Sequence, residues 1–151
     1  MKKIMFVGPV GVGKTTLTQR LKGLDLNYYK TQSIQFYDAI IDTPGEFLQH
    51  RKYYNALSVT ANEADVIGLL VSSLEKMQTF PQGFASLFNK EVIGIVTKTD
   101  MAESLSQIER AKEELKNAGA SSIFELSAVK DQGISQLKDF LLSDEKDKSD
   151  K

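Results

Sequence analysis

A short glycine-rich segment near the start of the chain has the spacing of a phosphate-binding loop. Residues 8–15 read GPVGVGKT, which fits the pattern G-x-x-x-x-G-K-[ST]. In this pattern the glycines let backbone N–H groups surround a polyphosphate, the following helix presents its positive end, and the lysine reaches the outer phosphates. The alternative is a glycine-rich turn with an exposed lysine. The residues expected to hold phosphate are Gly8, Val10, Gly11, Val12, Gly13, Lys14, Thr15 and Thr16.

Oxygen atoms near this loop are suited to magnesium. Thr15 offers a hydroxyl, and Asp42 follows a second apolar run, where it would bind Mg²⁺ directly or through water. The segment DTPG at residues 42–45 is by itself an ordinary turn signal. Its place after an apolar run favours the functional interpretation, in which Gly45 offers its N–H to a terminal phosphate and acts as a hinge.

A polar stretch at residues 30–33 is the expected position of a first mobile loop. Thr31 is the candidate for a hydroxyl that completes the magnesium shell when a third phosphate is present, with Ser33 as the substitute. An ordinary loop threonine is the alternative. Eleven residue steps separate Thr31 from Asp42, so a second strand between them should be very short or missing.

Apolar runs separated by helical patterns mark the elements that must position these residues. The runs are nearly continuous rather than alternating, which is typical of parallel strands buried on both faces. They lie at Ile4–Val7, Ala39–Ile41, Val66–Val71, Val92–Val96 and Ile123–Leu126. The alternation predicts right-handed βαβ units and a three-layer α/β/α fold with a mostly parallel sheet of five or six strands. Ligands of such folds bind at the carboxyl ends of the strands.

Three helices are predicted between and after the strands. The first covers Thr16–Lys22 and is expected to stop at Gly23. The second covers Ser106–Ala118 and opens with a capping-box spacing from Ser106 to Glu109. The last is marked by apolar residues at helical spacing: Ile134, Leu137 and Leu141.

Length and composition limit the class of protein. The chain has 151 residues, a formal charge of -1 and no cysteine, which fits one domain in a reducing compartment such as the cytoplasm. The balanced charge argues against nucleic-acid binding, and no apolar run approaches the length of a membrane span. The apolar start ends at Gly8, so it predicts a strand rather than a signal peptide. Residues 1–142 are expected to form the domain, followed by a charged, disordered tail at 143–151.

Polar residues at two further strand ends complete a constellation. Thr97-Lys98-Thr99-Asp100 follows the fourth apolar run, and Ser127-Ala128 follows the fifth. With these residues the sequence resembles the TRAFAC-type GTPases over nearly its whole length. In that family an N-K-x-D motif reads guanine, and an S-A turn presents a backbone N–H to the guanine oxygen.

The resemblance implies a base site. Asp100 would accept two ring N–H bonds from guanine, Lys98 would pack along the nucleotide, and Ala128 of the Ser127-Ala128 turn would donate its N–H. Thr97 stands where the family has Asn, and the shorter side chain loses one amide contact, which leaves the choice between GTP and ATP open. Capping of the next helix is an alternative role for Asp100.

Further segments narrow the resemblance. They are GPVGVGKTTL from residue 8, KTQ from 30, DTPGEF from 42, RKYY from 51, and FPQGF from 80 running on to VIGIVTKTD. Over residues 1–141 the chain is similar to the EutP/PduV proteins of bacterial ethanolamine and propanediol operons, and EutP, the ethanolamine branch, is taken as the closer match. The resemblance implies a nucleotide-binding protein of ethanolamine utilisation, with microcompartment shell or pathway proteins as partners. Members have also been associated with acetate kinase activity.

Activation of the attacking nucleophile is the step that the predicted residues support least. Where Ras-like proteins carry Gln after DxxG, this chain has Glu46, a potential catalytic base that would repel the phosphate it approaches. Val10 replaces a glycine of those proteins and would crowd an incoming water. We therefore expect slow hydrolysis. An acetate acceptor would need no base, because its carboxylate is already ionised near neutral pH.

Histidine and aromatic residues are expected to have structural roles. His50, the only histidine, is predicted to be an exposed loop residue, with phosphate or acetate binding as the alternative. Phe80, Phe84 and Phe88 are predicted to pack in the core rather than form a docking stripe.

Three functions are open at this point. The first is an Mg²⁺-dependent ATP- or GTP-binding NTPase in ethanolamine utilisation, and the second is phosphotransfer between ATP and acetate. The third is a regulatory or assembly factor with negligible turnover. A Rossmann dinucleotide site is excluded, because the loop ends in Gly-Lys-Thr rather than G-x-G-x-x-G.

Overall fold

The computed structural model describes residues 2–28, 40–43, 45–48 and 50–149, with side chains at all of these except 22–28, 46 and 144–149. Within these residues lies a sheet of five strands in the order β2-β1-β3-β4-β5, with every neighbouring pair parallel. The strands are β1 (Ile4–Val7), β2 (Ile40–Asp42), β3 (Val66–Ser72), β4 (Glu91–Thr97) and β5 (Ser122–Glu125). The three central strands are almost entirely buried, as their apolar runs predict, and β2 and β5 are the half-exposed edges.

Among the described residues, four α-helices cover the two faces of this sheet. They are α1 (Lys14–Tyr28), α2 (Tyr54–Ala61), α3 (Leu105–Ala118) and α4 (Ile134–Ser149). Short 3-10 turns lie at Gly45–Leu48, Arg51–Tyr53, Phe84–Leu87 and Thr99–Met101. The predicted three-layer α/β/α fold with a parallel sheet is confirmed.

The core is divided into two clusters by the sheet. On one face, α2, α3 and three buried phenylalanines pack against alternate residues of β1, β3 and β4. On the other face, α1 and α4 pack against the residues between, with Leu17, Leu21 and Leu137 fully or almost fully buried. Burial on both faces explains why the central runs show no polar alternation.

Two local predictions about helices are wrong. Gly23 does not end α1, whose helical backbone continues to Tyr28, because a glycine costs a helix only about 1 kcal/mol and removes no hydrogen bond. The cap of α3 lies two residues earlier than the predicted Ser106, at Ser104. There the Gln107 side chain accepts a hydrogen bond from the Glu103 N–H at 2.6 Å.

The ends of the predicted elements shift by small amounts. Thr97 belongs to β4 rather than following it, and β5 starts and ends one residue earlier than its apolar run. The helical backbone of α4 reaches Ser149, so most of the charged segment from 143 is helical. That this end is disordered and that the domain closes at residue 142 stay predictions.

Candidate nucleotide-binding site

The predicted site residues meet at the carboxyl edge of the sheet. A cavity of about 460 Å³ lies between the loop after β1, the start of α1 and the end of β2. Parallel strands bring their carboxyl ends to one edge, which is why segments distant in sequence converge here. The predicted residues that line this cavity are Val10, Gly11, Gly13, Lys14, Thr15, Thr16, Asp42, Gly45 and Lys98.

The loop after β1 has the backbone that its glycines predict. Gly11 and Gly13 have φ of 84° and 111°, values that residues with a side chain rarely adopt. The Leu17 N–H donates to the Gly13 carbonyl at 2.9 Å, so helical bonding starts directly at the loop. The cavity therefore faces the amino terminus of α1, which carries free N–H groups and the positive end of the helix dipole.

Lys14 is held inside this loop. Its Nζ donates to the Gly8 carbonyl at 2.7 Å, and the residue is 8% exposed. Burial lowers the pKa of Lys14 below its ordinary value, and the nearby Asp42 carboxylate acts in the opposite direction. The phosphate loop thus contains a largely desolvated cation, which a polyphosphate would neutralise.

The residues predicted to hold magnesium fit that ion in their chemistry. Thr15 and Asp42 are exposed and both line the cavity, so one hydroxyl and one carboxylate are available. Magnesium binds through few protein oxygens and takes phosphate oxygens and water for the rest. No group of three or more His, Cys, Asp or Glu side chains suited to a metal occurs among the described residues. The site would therefore hold the ion together with a polyphosphate rather than alone.

Gly45 lies against the phosphate loop. A Cβ atom placed on Gly45 would stand 2.8 Å from the Val10 Cγ2 and 2.9 Å from the Pro9 carbonyl carbon. Only glycine allows this approach, and the role of the Gly45 N–H beside a terminal phosphate stays a prediction. Thr31 and Ser33 lie outside the described residues, as does the side chain of Glu46, whose backbone is part of the 3-10 turn Gly45–Leu48.

Thr97 and Lys98 join the predicted base motif to the phosphate loop. The Thr97 hydroxyl donates to the Val12 carbonyl at 2.7 Å, and the Lys98 Nζ donates to the Gly11 carbonyl at 2.7 Å. Lys98 has a left-handed backbone with φ of 58°, and its carbonyl accepts a bond from the Ser73 hydroxyl at 2.7 Å. The Thr97 hydroxyl is therefore bonded to the phosphate loop.

Asp100 and Ser127 are paired at a second, smaller cavity. The Ser127 hydroxyl donates to the Asp100 Oδ1 at 2.7 Å and accepts the Lys130 N–H at 3.1 Å. The cavity has a volume of about 100 Å³ and is lined by Thr97, Lys98, Asp100 and Ala128, with Leu17 and Val129 as apolar neighbours. The five predicted base-site residues are thus brought together, with Ser127 as the support for Asp100.

The aromatic residues have the positions expected of them. Phe80, Phe84 and Phe88 are buried and contact each other in sequence, with ring centroids 5.1 and 5.8 Å apart, so the prediction of core packing is confirmed. His50 is exposed and lies edge-on to Tyr53 at 6.1 Å.

Several residues that support the site were not among the predicted site residues. Arg20 donates to the Ala128 and Val129 carbonyls, and Thr43 donates to the Phe6 carbonyl at 2.7 Å beside the phosphate loop. The turn signal DTPG contains Thr43, so that position was accessible to sequence reasoning. Arg20 and Ser73 were not, because each acts across a long separation in sequence.

The fold and the site together define a class of protein: an α/β protein with the P-loop GTPase fold. In agreement, the translation elongation factor SelB from Methanococcus maripaludis, solved in complex with the GTP analogue GPPNHP, superposes with a TM-score of 0.63. The superposition covers 94% of this chain and 33% of SelB at 20% sequence identity. More specifically, the chain belongs to the PduV-EutP family, described as "Ethanolamine utilisation - propanediol utilisation", whose sequence model matches residues 1–143.

Two relatives in this family cover nearly the whole chain. The "Propanediol utilization protein PduV" of Citrobacter freundii is 43% identical over 141 residues, which is 93% of each chain. The "Probable acetate kinase EutP" of Escherichia coli K12 is 36% identical over 145 residues, covering 95% of this chain and 91% of the relative. The family prediction is confirmed, but these identities do not support the closer match to the ethanolamine branch.

None of the described helices is both long and apolar enough to cross a membrane.

Proposed function

We propose that this protein is a magnesium-dependent P-loop nucleotide-binding protein with slow hydrolysis, acting in propanediol or ethanolamine utilisation. The observation that supports this most directly is that Lys98 lines both the larger and the smaller cavity. Its Nζ reaches the phosphate loop at Gly11, while Asp100 lies two residues away beside the smaller cavity. A phosphate site and a base site built from one continuous surface are what a nucleoside polyphosphate requires.

The chemistry of Asp100 favours guanine as the base. A carboxylate only accepts hydrogen bonds, and the Watson–Crick edge of guanine offers two adjacent donors, N1–H and the amino group. Adenine offers one donor beside an acceptor, which would face the carboxylate with a lone pair. Asp100 keeps the capacity for both guanine bonds, since the Ser127 hydroxyl takes only one site on Oδ1.

The residues around the larger cavity suit binding of the polyphosphate better than rapid hydrolysis. Lys14 and the N–H groups at the start of α1 would neutralise the phosphate oxygens, and Thr15 and Asp42 would hold Mg²⁺, which supplies further charge neutralisation when bound. Val10 is 73% exposed and lines the larger cavity, where its branched side chain would crowd an incoming water. Hydrolysis is therefore expected to be slow.

Titration with labelled GTP and ATP, with and without Mg²⁺, tests this function. Wild-type protein should prefer Mg²⁺·GTP, and Asp100→Ala should abolish the preference. Asp100→Asn is the sharper variant, because its amide donates one bond and accepts another, which matches xanthine rather than guanine. A wild-type protein that binds neither nucleotide overturns the proposal. Better binding of ATP, unchanged in both variants, overturns the guanine assignment.

Phosphotransfer between ATP and acetate is a second candidate, favoured by the similarity to the "Probable acetate kinase EutP" of Escherichia coli. It predicts formation of ADP and acetyl phosphate that depends on acetate and is lost in Lys14→Met. Hydrolysis that acetate does not change argues against it. Nucleotide-dependent association without product would instead favour a regulatory or assembly role.

We also propose a cytoplasmic protein whose partners are microcompartment shell or pathway proteins. The support is the family's link to propanediol and ethanolamine utilisation. Co-purification of the full chain with shell proteins, compared between nucleotide-free and nucleotide-loaded states, tests the partner. Equal recovery with an unrelated control protein would argue against it.

A further inference from the structure

Arg20 connects the phosphate-binding helix to the turn that carries Ala128. It lies on α1 one turn after Thr16, which lines both cavities. Its Nε donates to the Ala128 carbonyl at 2.7 Å, and its Nη2 lies 3.4 Å from the Val129 carbonyl. A guanidinium is planar and permanently charged, so bonds from adjacent nitrogens fix the direction of the acceptor more firmly than a lysine would.

The peptide group on the other side of Ala128 is fixed as well. Ser127 and Gln132 exchange two backbone bonds of 2.9 Å, so the Ser127 carbonyl is bound to the Gln132 N–H. In a trans peptide the N–H points opposite to the carbonyl. The Ala128 N–H therefore points away from Gln132, and with the Ala128 carbonyl held by Arg20 the backbone on both sides of this residue is anchored.

We propose that Arg20 is a positioning residue that sets purine selection without touching the base. This inference rests on the proposed nucleotide site and deepens it. By fixing the carbonyls of Ala128 and Val129 to α1, Arg20 holds the Ala128 N–H and the exposed Val129 side chain at the edge of the smaller cavity. An N–H held there discriminates guanine, whose O6 accepts, from adenine, whose amino group at that position donates.

The test compares Arg20→Met, which removes all donors, with Arg20→Lys, which keeps one charged donor. Arg110→Met is the matched control, since Arg110 also extends from a helix to a loop carbonyl, that of Glu75 at 2.8 Å, away from the site. Affinities for GTP, ATP and inorganic tripolyphosphate are measured on each full-length variant. Tripolyphosphate reports the phosphate loop without a base.

The expected result is a loss of up to about tenfold in the GTP/ATP preference of Arg20→Met, the loss that corresponds to one neutral hydrogen bond, here from the Ala128 N–H to guanine O6. Arg20→Lys should recover part of it, and Arg110→Met should match the wild type. Affinity for tripolyphosphate should be the same in all four proteins. Equal losses for all three ligands, or no loss, would overturn the inference.

A second measurement does not depend on nucleotide. In the NMR spectrum of the nucleotide-free protein, Arg20→Met should shift and broaden the Ala128 and Val129 amides and leave those of Gly11 and Gly13 unchanged. Unchanged Ala128 and Val129 amides would overturn the inference even where nucleotide binding is intact. A wild-type protein that binds no nucleotide, with the expected amide shifts, would overturn the proposed function and the purine role while the contact itself stands.

Discussion

At the scale of single residues, the Thr97 and Lys98 side chains of the base motif form hydrogen bonds with the phosphate loop. Thr97 and Lys98 each donate a 2.7 Å bond to a loop carbonyl, and Thr97 is 6% exposed. A buried carbonyl that loses its partner costs about 1–3 kcal/mol. The Thr97 hydroxyl therefore has a structural role that the motif alone does not indicate.

Thr97→Val tests this bond. Valine has nearly the same shape but no hydroxyl, so the free energy of unfolding should fall by about 1–2 kcal/mol and the affinity for triphosphate should fall with it. Urea denaturation and nucleotide titration measure the two effects. Thr97→Ser, which keeps the hydroxyl, should retain the affinity. Equal affinity for Thr97→Val and the wild type would contradict the prediction.

The burial of Lys14 should make the free energy of unfolding depend on pH. Because burial lowers its pKa in the folded state, the unfolded state binds more protons between that lowered pKa and 10.5. The unfolding free energy of the wild type relative to Lys14→Met should therefore rise with pH across this window. Denaturant melts of both proteins in the nucleotide-free state measure the difference.

Nucleotide should change this pH profile. A bound polyphosphate favours the charged lysine, so the rise with pH should disappear when Mg²⁺ and nucleotide are present. A difference between wild type and Lys14→Met that falls with pH in the nucleotide-free state would contradict the proposed burial effect.

At the scale of elements, a glycine lets α3 approach β4. A Cβ on Gly94 would stand 2.9 Å from the Leu115 Cβ, an atom fixed to the helix backbone. Gly68 on β3 is crowded differently, because its neighbours at 3.2–3.3 Å are the ends of the Phe6, Ile4 and Ile95 side chains. Side-chain ends can move aside by small torsional changes, whereas α3 would have to shift as a whole.

Gly94→Ala should therefore destabilise the protein more than Gly68→Ala. We expect a loss of about 1–3 kcal/mol for Gly94→Ala, the usual cost of overpacking a core. The two variants compare the same chemical change in adjacent strands of one sheet. Urea denaturation gives both values, and the reverse order would show that α3 adjusts more easily than the side chains around Gly68.

At the scale of the whole molecule, ligand binding and stability are linked. A ligand that binds only the folded state at one hundred times its Kd adds about 2.7 kcal/mol, which for a chain of this size is a rise in Tm of roughly 5–10 °C. Mg²⁺ with nucleotide should produce this rise in the wild type and not in Lys14→Met. Calorimetry or dye-based melting measures it, and an equal rise in the variant would place the ligand elsewhere.

Much of the fold was predictable because its signals are local. The runs that became β1, β3 and β4 are apolar on both faces, and GPVGVGKT forms a loop in which Gly11 and Gly13 adopt positive φ. Element ends were less predictable. The helical backbone continues through Gly23 because a glycine costs a helix little, and the cap of α3 lies at Ser104 rather than at the predicted Ser106.

The sequence by itself determined the chain order of the five strands and of α1, α3 and α4, the phosphate loop and the residue types around it, whereas α2 (Tyr54–Ala61) was not predicted. Only the tertiary structure decided which donor meets which carbonyl: Lys98 reaches Gly11 across 87 positions, and Arg20 reaches Ala128 across 108. The physical reason is the separation along the sequence over which each kind of interaction acts. Glycine dihedral angles and apolar periodicity act within a few residues, whereas a hydrogen bond between distant segments exists only after the parallel sheet has brought its strand ends to one edge.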